Sequence, residues 1–124
     1  MGMTFDIIRR GDVIIADLGV PFGSELGHRR PVIVIQNSET IHNSPTLIVA
    51  IISGATNNEY SSSRIAISYS DNKPLLTIML DQLRTIDKSR LVRYIGRLND
   101  DGMAMVSNAL RYSLGLMKED EADG

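Results

Sequence analysis

Cysteine and tryptophan are both absent from this chain. The first absence excludes disulfides, thiolate metal sites and cysteine nucleophiles. No run approaches the roughly 18 apolar residues needed to span a bilayer, and no leader of charged, apolar and small residues opens the chain. A cytoplasmic protein without a membrane partner is therefore expected. Standard catalytic motifs are missing as well: there is no Walker loop, dinucleotide glycine fingerprint, metalloprotease pattern or nucleophile elbow. The two histidines, His28 and His42, stand in separate polar stretches without spaced carboxylates, so no metal site and no cofactor is expected. A metal-dependent nuclease would need several converging carboxylates. Here they are scattered over turns, and Asp100-Asp101 is most simply read as helix capping.

Charge of one sign is lacking too, with a formal net charge of -2 over 124 residues. The distribution is uneven. Residues 118–124 carry four carboxylates and one lysine, so the remaining body holds 12 basic and 11 acidic side chains. Ten of the thirteen basic residues are arginine, a choice that favours phosphate pairing. The length suits one domain with a real core and no separate catalytic lobe. The expected division is a domain over residues 1–117 and an acidic, disordered tail over residues 118–124, with a disordered lead over residues 1–7.

What is present is mostly strand. Arg9 to Asp12 reads as a turn before a short apolar strand, Val13 to Asp17. Pro31 to Gln36 and Thr46 to Ile52 are β-branched runs of the kind buried on both faces. Gly19 to His28, Asn37 to Pro45 and Gly54 to Ser63 read as polar loops, and Asp71 to Pro74 as a turn. Arg64 to Ser68 alternates, placing Ile65 and Ile67 inside and Arg64 in water. Leu75 to Thr85 continues as strand; Leu91 to Leu98 suits strand or short helix equally. Asn99 is a good N-cap, with Met103, Val106, Leu110, Ser113, Leu114 and Met117 at helical spacing behind it and Gly115 as a stop. Short strands followed by one packed helix predict a β-rich α+β domain, a small curled sheet or barrel with a helical plug.

The most informative stretch is Gly23 to Asn37, a glycine-bounded loop that delivers Arg29 and Arg30 to the mouth of an apolar strand. Arginine's planar fork fits phosphate oxygens two at a time. That seat suits metal-free cleavage of RNA, in which the ribose 2′-hydroxyl is the nucleophile and the protein stabilises the charge growing on phosphorus. Arg30 fits the last task. His28 has the side chain whose ordinary pKa lies nearest neutrality, and it would share Arg30's side if the strand reached back to Gly27. Ser53, at the end of the buried run Leu47 to Ile52, is the hydroxyl best placed to orient the phosphate. Each of these residues has a bland reading by itself: a solvated arginine pair, an exposed loop histidine, an ordinary strand exit.

Taken together, the segments resemble the MazF/PemK family of toxin endoribonucleases. The resemblance runs through Arg9-Arg10-Gly11-Asp12-Val13, Ala16-Asp17-Leu18, Gly23-Ser24-Glu25 and Arg30-Pro31-Val32. It continues through Val34-Ile35-Gln36-Asn37, Ser44-Pro45-Thr46, Val49 to Ser53, Asp81 to Lys88, Asn108-Ala109-Leu110 and Ser113 to Leu116. These segments cover about residues 8 to 116 in the family's order. The resemblance implies the small SH3-like β-barrel with a C-terminal helix shared by MazF, Kid and CcdB toxins, acting as a homodimer. It implies metal-independent, sequence-selective cleavage of single-stranded RNA to 2′,3′-cyclic phosphate and 5′-hydroxyl ends. It further implies neutralisation by a MazE-like antitoxin with an acidic segment.

The family's catalytic arginine falls on Arg30 and its threonine on Ser53. Serine keeps the hydroxyl and loses the methyl that restricts the rotamer. Phe22, Ser24, Glu25, His28 and Arg29 fall in the RNA-contacting loop, and Gln82 and Arg84 on a base-reading strand. Phe22 and Tyr60 could stack on bases, although packing explains each more simply. The segment Gly54 to Ser63 lacks the lysines of many relatives, which bears on the sequence cut. The alternative function is that of a CcdB-like toxin, a non-catalytic inhibitor of a protein target such as DNA gyrase; a decayed toxin serving only to bind antitoxin is a third.

Overall fold

The computed structural model describes residues 7–54, 62–68 and 75–117. Its elements in chain order are β1 (Asp12–Asp17), β2 (Arg29–Val34), α1 (Ser38–Ile41), β3 (Thr46–Ser53), β4 (Arg64–Ile67), β5 (Leu76–Asp87), β6 (Leu91–Arg97) and α2 (Asp100–Ser113), with a 3₁₀ turn at Lys88–Arg90. All strand pairs are antiparallel, in the order β4-β5-β3-β2-β1-β6. The segment that sequence left open between strand and helix is a strand, paired antiparallel with β1. Tyr60, the turn at 71–74, the lead over residues 1–6 and the tail over residues 118–124 lie outside the described residues.

The sheet curls strongly without closing: β4 and β6 are its two edges and do not pair. Ile86 of β5 and Leu91 of β6 bury against the same cluster as Ile14, Val32, Val34, Val49 and Ile51. Strands near opposite ends of the order can share one cluster only if the sheet wraps around it. Irregular register makes the bend. Between Ala50 and Ile51 of β3 the partner on β5 jumps from Leu83 to Met79, so Leu80, Asp81 and Gln82 form a bulge. Extra residues on one strand increase local twist and turn the strand. Arg64, expected in water, stays partly exposed and grips this bulge. Its Nε lies 3.1 and 3.2 Å from the two Asp81 carboxylate oxygens and its Nη2 2.9 Å from one of them.

Alternate residues face the second cluster, where Val13, Ile33, Ala50, Ile52, Ile78 and Leu80 meet Val106 and Ala109 of α2. Strands covered on both faces account for the unbroken apolar runs. Helix α2 begins as expected: the Asn99 side chain accepts the Gly102 N–H at 2.8 Å, with Asp100 and Asp101 in the first turn. It ends in a paired Schellman arrangement, the Gly115 N–H bonding Tyr112 O and the Leu116 N–H bonding Arg111 O, with Gly115 at φ +71°. That conformation favours glycine. Because the helix stops at Ser113, the predicted stripe loses phase there, and Leu114 is 52% exposed instead of buried. The Ser113 hydroxyl donates to Leu80 O at 2.8 Å and fixes the helix end on β5.

One turn of helix, α1, lies inside the stretch read as loop. Asn37 caps it by accepting the Glu39 N–H at 3.0 Å. Ile41, buried from that turn, plugs one end of the concave cluster. A four-residue helix is too short to show periodicity.

Candidate functional site

The loop joining β1 to β2 stands over the other end of the curled sheet. It is closed at the neck by the His28 N–H bonding Gly19 O at 2.6 Å and the Leu18 N–H bonding His28 O at 2.9 Å. Arg90 adds a bond from its guanidinium to Asp17 O at 3.2 Å. At the tip, Glu25 N–H bonds Phe22 O at 3.1 Å, making a tight turn whose Gly23 takes φ +60°. Phe22, Ser24 and Glu25 are all exposed on this tip, Phe22 by 83%. Phe22 therefore has no packing role within its own chain.

Arg30 and Ser53 come to one face. Arg30 pairs with Ala16, a member of the concave cluster, and cross-strand partners share a face. On β3, Val49 and Ile51 belong to that cluster, so alternation carries Ser53 to the same side. The β2–β3 register matches Val32 with Ile51 and Val34 with Val49; continued two residues outward, it sets Arg30 level with Ser53. Both are partly exposed. Ser53 also pairs with Thr77 of β5, bringing a second hydroxyl-bearing residue to the same rung. Arg84 joins this face through its pairing with Val49, and Gln82 lies in the β5 bulge.

Two expectations change. Arg29 and Arg30 do not form a guanidinium pair: both lie within β2, where consecutive side chains point to opposite faces. Arg29 is exposed and pairs with Asp17, Arg30 with Ala16. His28 does not share Arg30's side by alternation, because the strand starts at Arg29 and His28 has φ +63°. A left-handed residue breaks the pleat, and the exposed His28 is a neck residue of the loop.

Sequence reasoning missed Gly27. A Cβ there would stand 2.6 Å from Gly19 O, Pro21 N and Pro21 Cδ, so the loop closes only on a residue without a side chain. Its carbonyl accepts the Arg30 Nε–H at 3.0 Å. Nothing in linear spacing announces such a close approach. Arg90 was also missed, since its contact with the loop neck joins neighbouring strand ends that lie 73 positions apart in sequence.

A cavity of about 490 Å³, lined by Ile7, Ile8, Arg9, Ser38, Ile41, His42 and Lys88, holds none of these residues. Lys88 N–H bonds Pro45 O, which puts this cavity where β3 starts and β5 ends. Arg30 and Ser53 sit at the far ends of β2 and β3.

Residues 9–114 match the family model for the PemK-like, MazF-like toxin of type II toxin-antitoxin systems. The chain belongs to this family. An endoribonuclease MazF of Staphylococcus saprophyticus is 44% identical to it over 112 residues, covering 89% of this chain and 93% of the relative. Among solved structures, a mycobacterial endoribonuclease in complex with its cognate antitoxin superposes with TM-score 0.74 at 22% identity, covering 90% of this chain and 98% of that one. MazF from Deinococcus radiodurans gives TM-score 0.73 at 17% identity, covering 88% and 97%. At such identities these structures establish the shared fold: a curled antiparallel sheet with a C-terminal helix. In this MazF-like toxin the loop reaches β5 where Leu26 O accepts from Arg84 Nη1 at 3.4 Å.

Proposed function

We propose that this MazF-like toxin is an endoribonuclease that cuts single-stranded RNA without a metal ion. The ribose 2′-oxygen bonds to the adjacent phosphorus as the bond from phosphorus to the 5′-oxygen breaks. The 2′-hydroxyl loses its proton and the departing oxygen gains one, leaving 2′,3′-cyclic phosphate and 5′-hydroxyl ends. Arg30 holds the negative charge that grows on the phosphorane, the task for which a fixed guanidinium is suited. Ser53 orients a phosphate oxygen from across the mouth. The observation that carries this reading is the convergence of Arg30 and Ser53 at one level on one face of the sheet.

Around that centre, Phe22 offers an exposed ring for stacking on a base. Ser24, Glu25, His28 and Arg29 border the strand path on the loop side, and Gln82 and Arg84 on the β5 side. The toxin works as a homodimer in the cytoplasm, as one domain over residues 1–117 with an acidic tail. A MazE-like antitoxin neutralises it by laying an acidic segment over the same cationic mouth. The antitoxin complex of the mycobacterial relative supports this partner class.

The test is incubation of the purified protein with a long transcript in excess EDTA, followed by mapping of both ends at each cut. Discrete cuts bearing a 2′,3′-cyclic phosphate are expected. Intact RNA under these conditions would overturn the reading, and gyrase inhibition by the same preparation would replace it with the CcdB-like alternative.

A further inference from the structure

Arg30 is not left to find its own orientation. Its Nε–H is spent on Gly27 O at 3.0 Å, which fixes one edge of the planar guanidinium and leaves the Nη groups for a ligand. The preceding carbonyl, Leu26 O, accepts from Arg84 Nη1 at 3.4 Å, across 58 positions of sequence. Successive carbonyls of one loop are thus held by arginines from two different strands. Leu26 itself packs on the concave cluster. The Gly27 backbone is pressed against Gly19 O and Pro21, where a Cβ would lie at 2.6 Å.

We infer that the Leu26-Gly27 carbonyl pair aims Arg30 at the scissile phosphate, with Arg84 the positioning residue that holds the pair from β5. The inference rests on the role given to Arg30 under the proposed function. It changes the reading of Arg84, whose place in the family pattern suggests direct contact with RNA. A phosphate contact and a loop clamp have different consequences. Loss of a phosphate contact weakens RNA binding and flattens its salt dependence by about 0.7 in log–log slope for a single strand. Loss of the clamp leaves binding alone and slows the chemical step, because the guanidinium is no longer fixed where charge develops.

The experiment uses an RNA oligonucleotide carrying a cut site mapped on a transcript, and its counterpart lacking the attacking 2′-hydroxyl. Single-turnover cleavage at saturating enzyme is measured on the first, binding at several salt concentrations on the second. Arg84→Ala is expected to slow cleavage by at least about tenfold, the scale of one impaired transition-state contact. Affinity for the uncleavable oligonucleotide should change by less than about twofold, with its salt slope intact. Arg84→Lys should recover most of the rate, since an ammonium group can also donate to Leu26 O. Gly27→Ala should slow cleavage to a similar degree with no change in charge. If that loop does not tolerate the methyl, Arg84→Ala decides alone. A fall in affinity and salt slope with the rate retained would make Arg84 a phosphate ligand and overturn the inference, as would full activity in Arg84→Ala. Arg30→Ala is the separate control: parental activity there would remove the role of Arg30 itself, whereas an inactive Arg30→Ala beside a fully active Arg84→Ala sinks only the clamp.

Discussion

At the scale of single residues, the mouth separates groups that look equivalent in sequence. Arg29 and Arg30 are adjacent and chemically identical, yet only Arg30 shares the face of Ala16 and stands level with Ser53. Arg30→Ala is expected to cut the cleavage rate by at least about tenfold while the thermal melting curve stays close to that of the parent. Arg30→Lys should fare little better, because an ammonium group cannot both satisfy Gly27 O and present a planar fork. At position 53 a β-branched hydroxyl restricts χ1, so Ser53→Thr should cleave as fast as the parent or faster; a large loss would remove this residue from the centre. His28 makes a third case. With φ +63° and an exposed side chain, it serves the loop neck through its backbone. His28→Ala should leave the shape of the pH–rate profile near neutrality unchanged, and a flattened limb would show instead that the imidazole moves a proton.

Elements carry the next level of order. The Asn99 cap and the Gly115 stop bracket α2 at both ends, and both follow from local rules. Asn99→Ala leaves the Gly102 N–H without its 2.8 Å partner and should cost about 1 kcal/mol, read as a lower urea midpoint with an unchanged m-value. The 3₁₀ turn at Lys88–Arg90 is set in the same way: Asp87 accepts from Ser89. Hydrogen bonds from the Ser89 side chain and backbone hold the Asp87 carboxyl below its ordinary pKa. The β5 bulge is different in kind. Leu80, Asp81 and Gln82 read as ordinary strand, and the bulge exists only through the register of β3 on one side and Arg64 on the other.

For the whole molecule, the ladder between the first and last strands carries an ion pair of the buried Asp12 with the exposed Arg97. The Asp12 carboxylate is 3% exposed, accepts the Arg9 N–H at 2.8 Å, and meets Arg97 Nη1 at 3.1 Å. Arg97 remains partly exposed, so removing its partner returns it to water without stranding a buried cation. Asp12→Ala should therefore lower unfolding stability by roughly 1.5–3 kcal/mol, the range for hydrogen bonds made to a charged group. Activity should persist well below the melting temperature. Abolished activity in a folded Asp12→Ala protein would place this carboxylate in the chemistry and not in the frame.

The division between what the chain spells out and what folding adds is physical. Strands β1 to β3 and the helix with its cap and stop were legible, because alternation, helical spacing and capping act over a few neighbouring residues. The order of the strands was not, nor was the open edge between β4 and β6. Both depend on which apolar faces meet after the chain turns back on itself. The same holds at the mouth. Sequence supplied the guanidinium and the hydroxyl, whereas the pleat of β2, the left-handed His28 and the close approach at Gly27 decided where they point. Those are contacts between segments remote in sequence, and no local pattern encodes their distance.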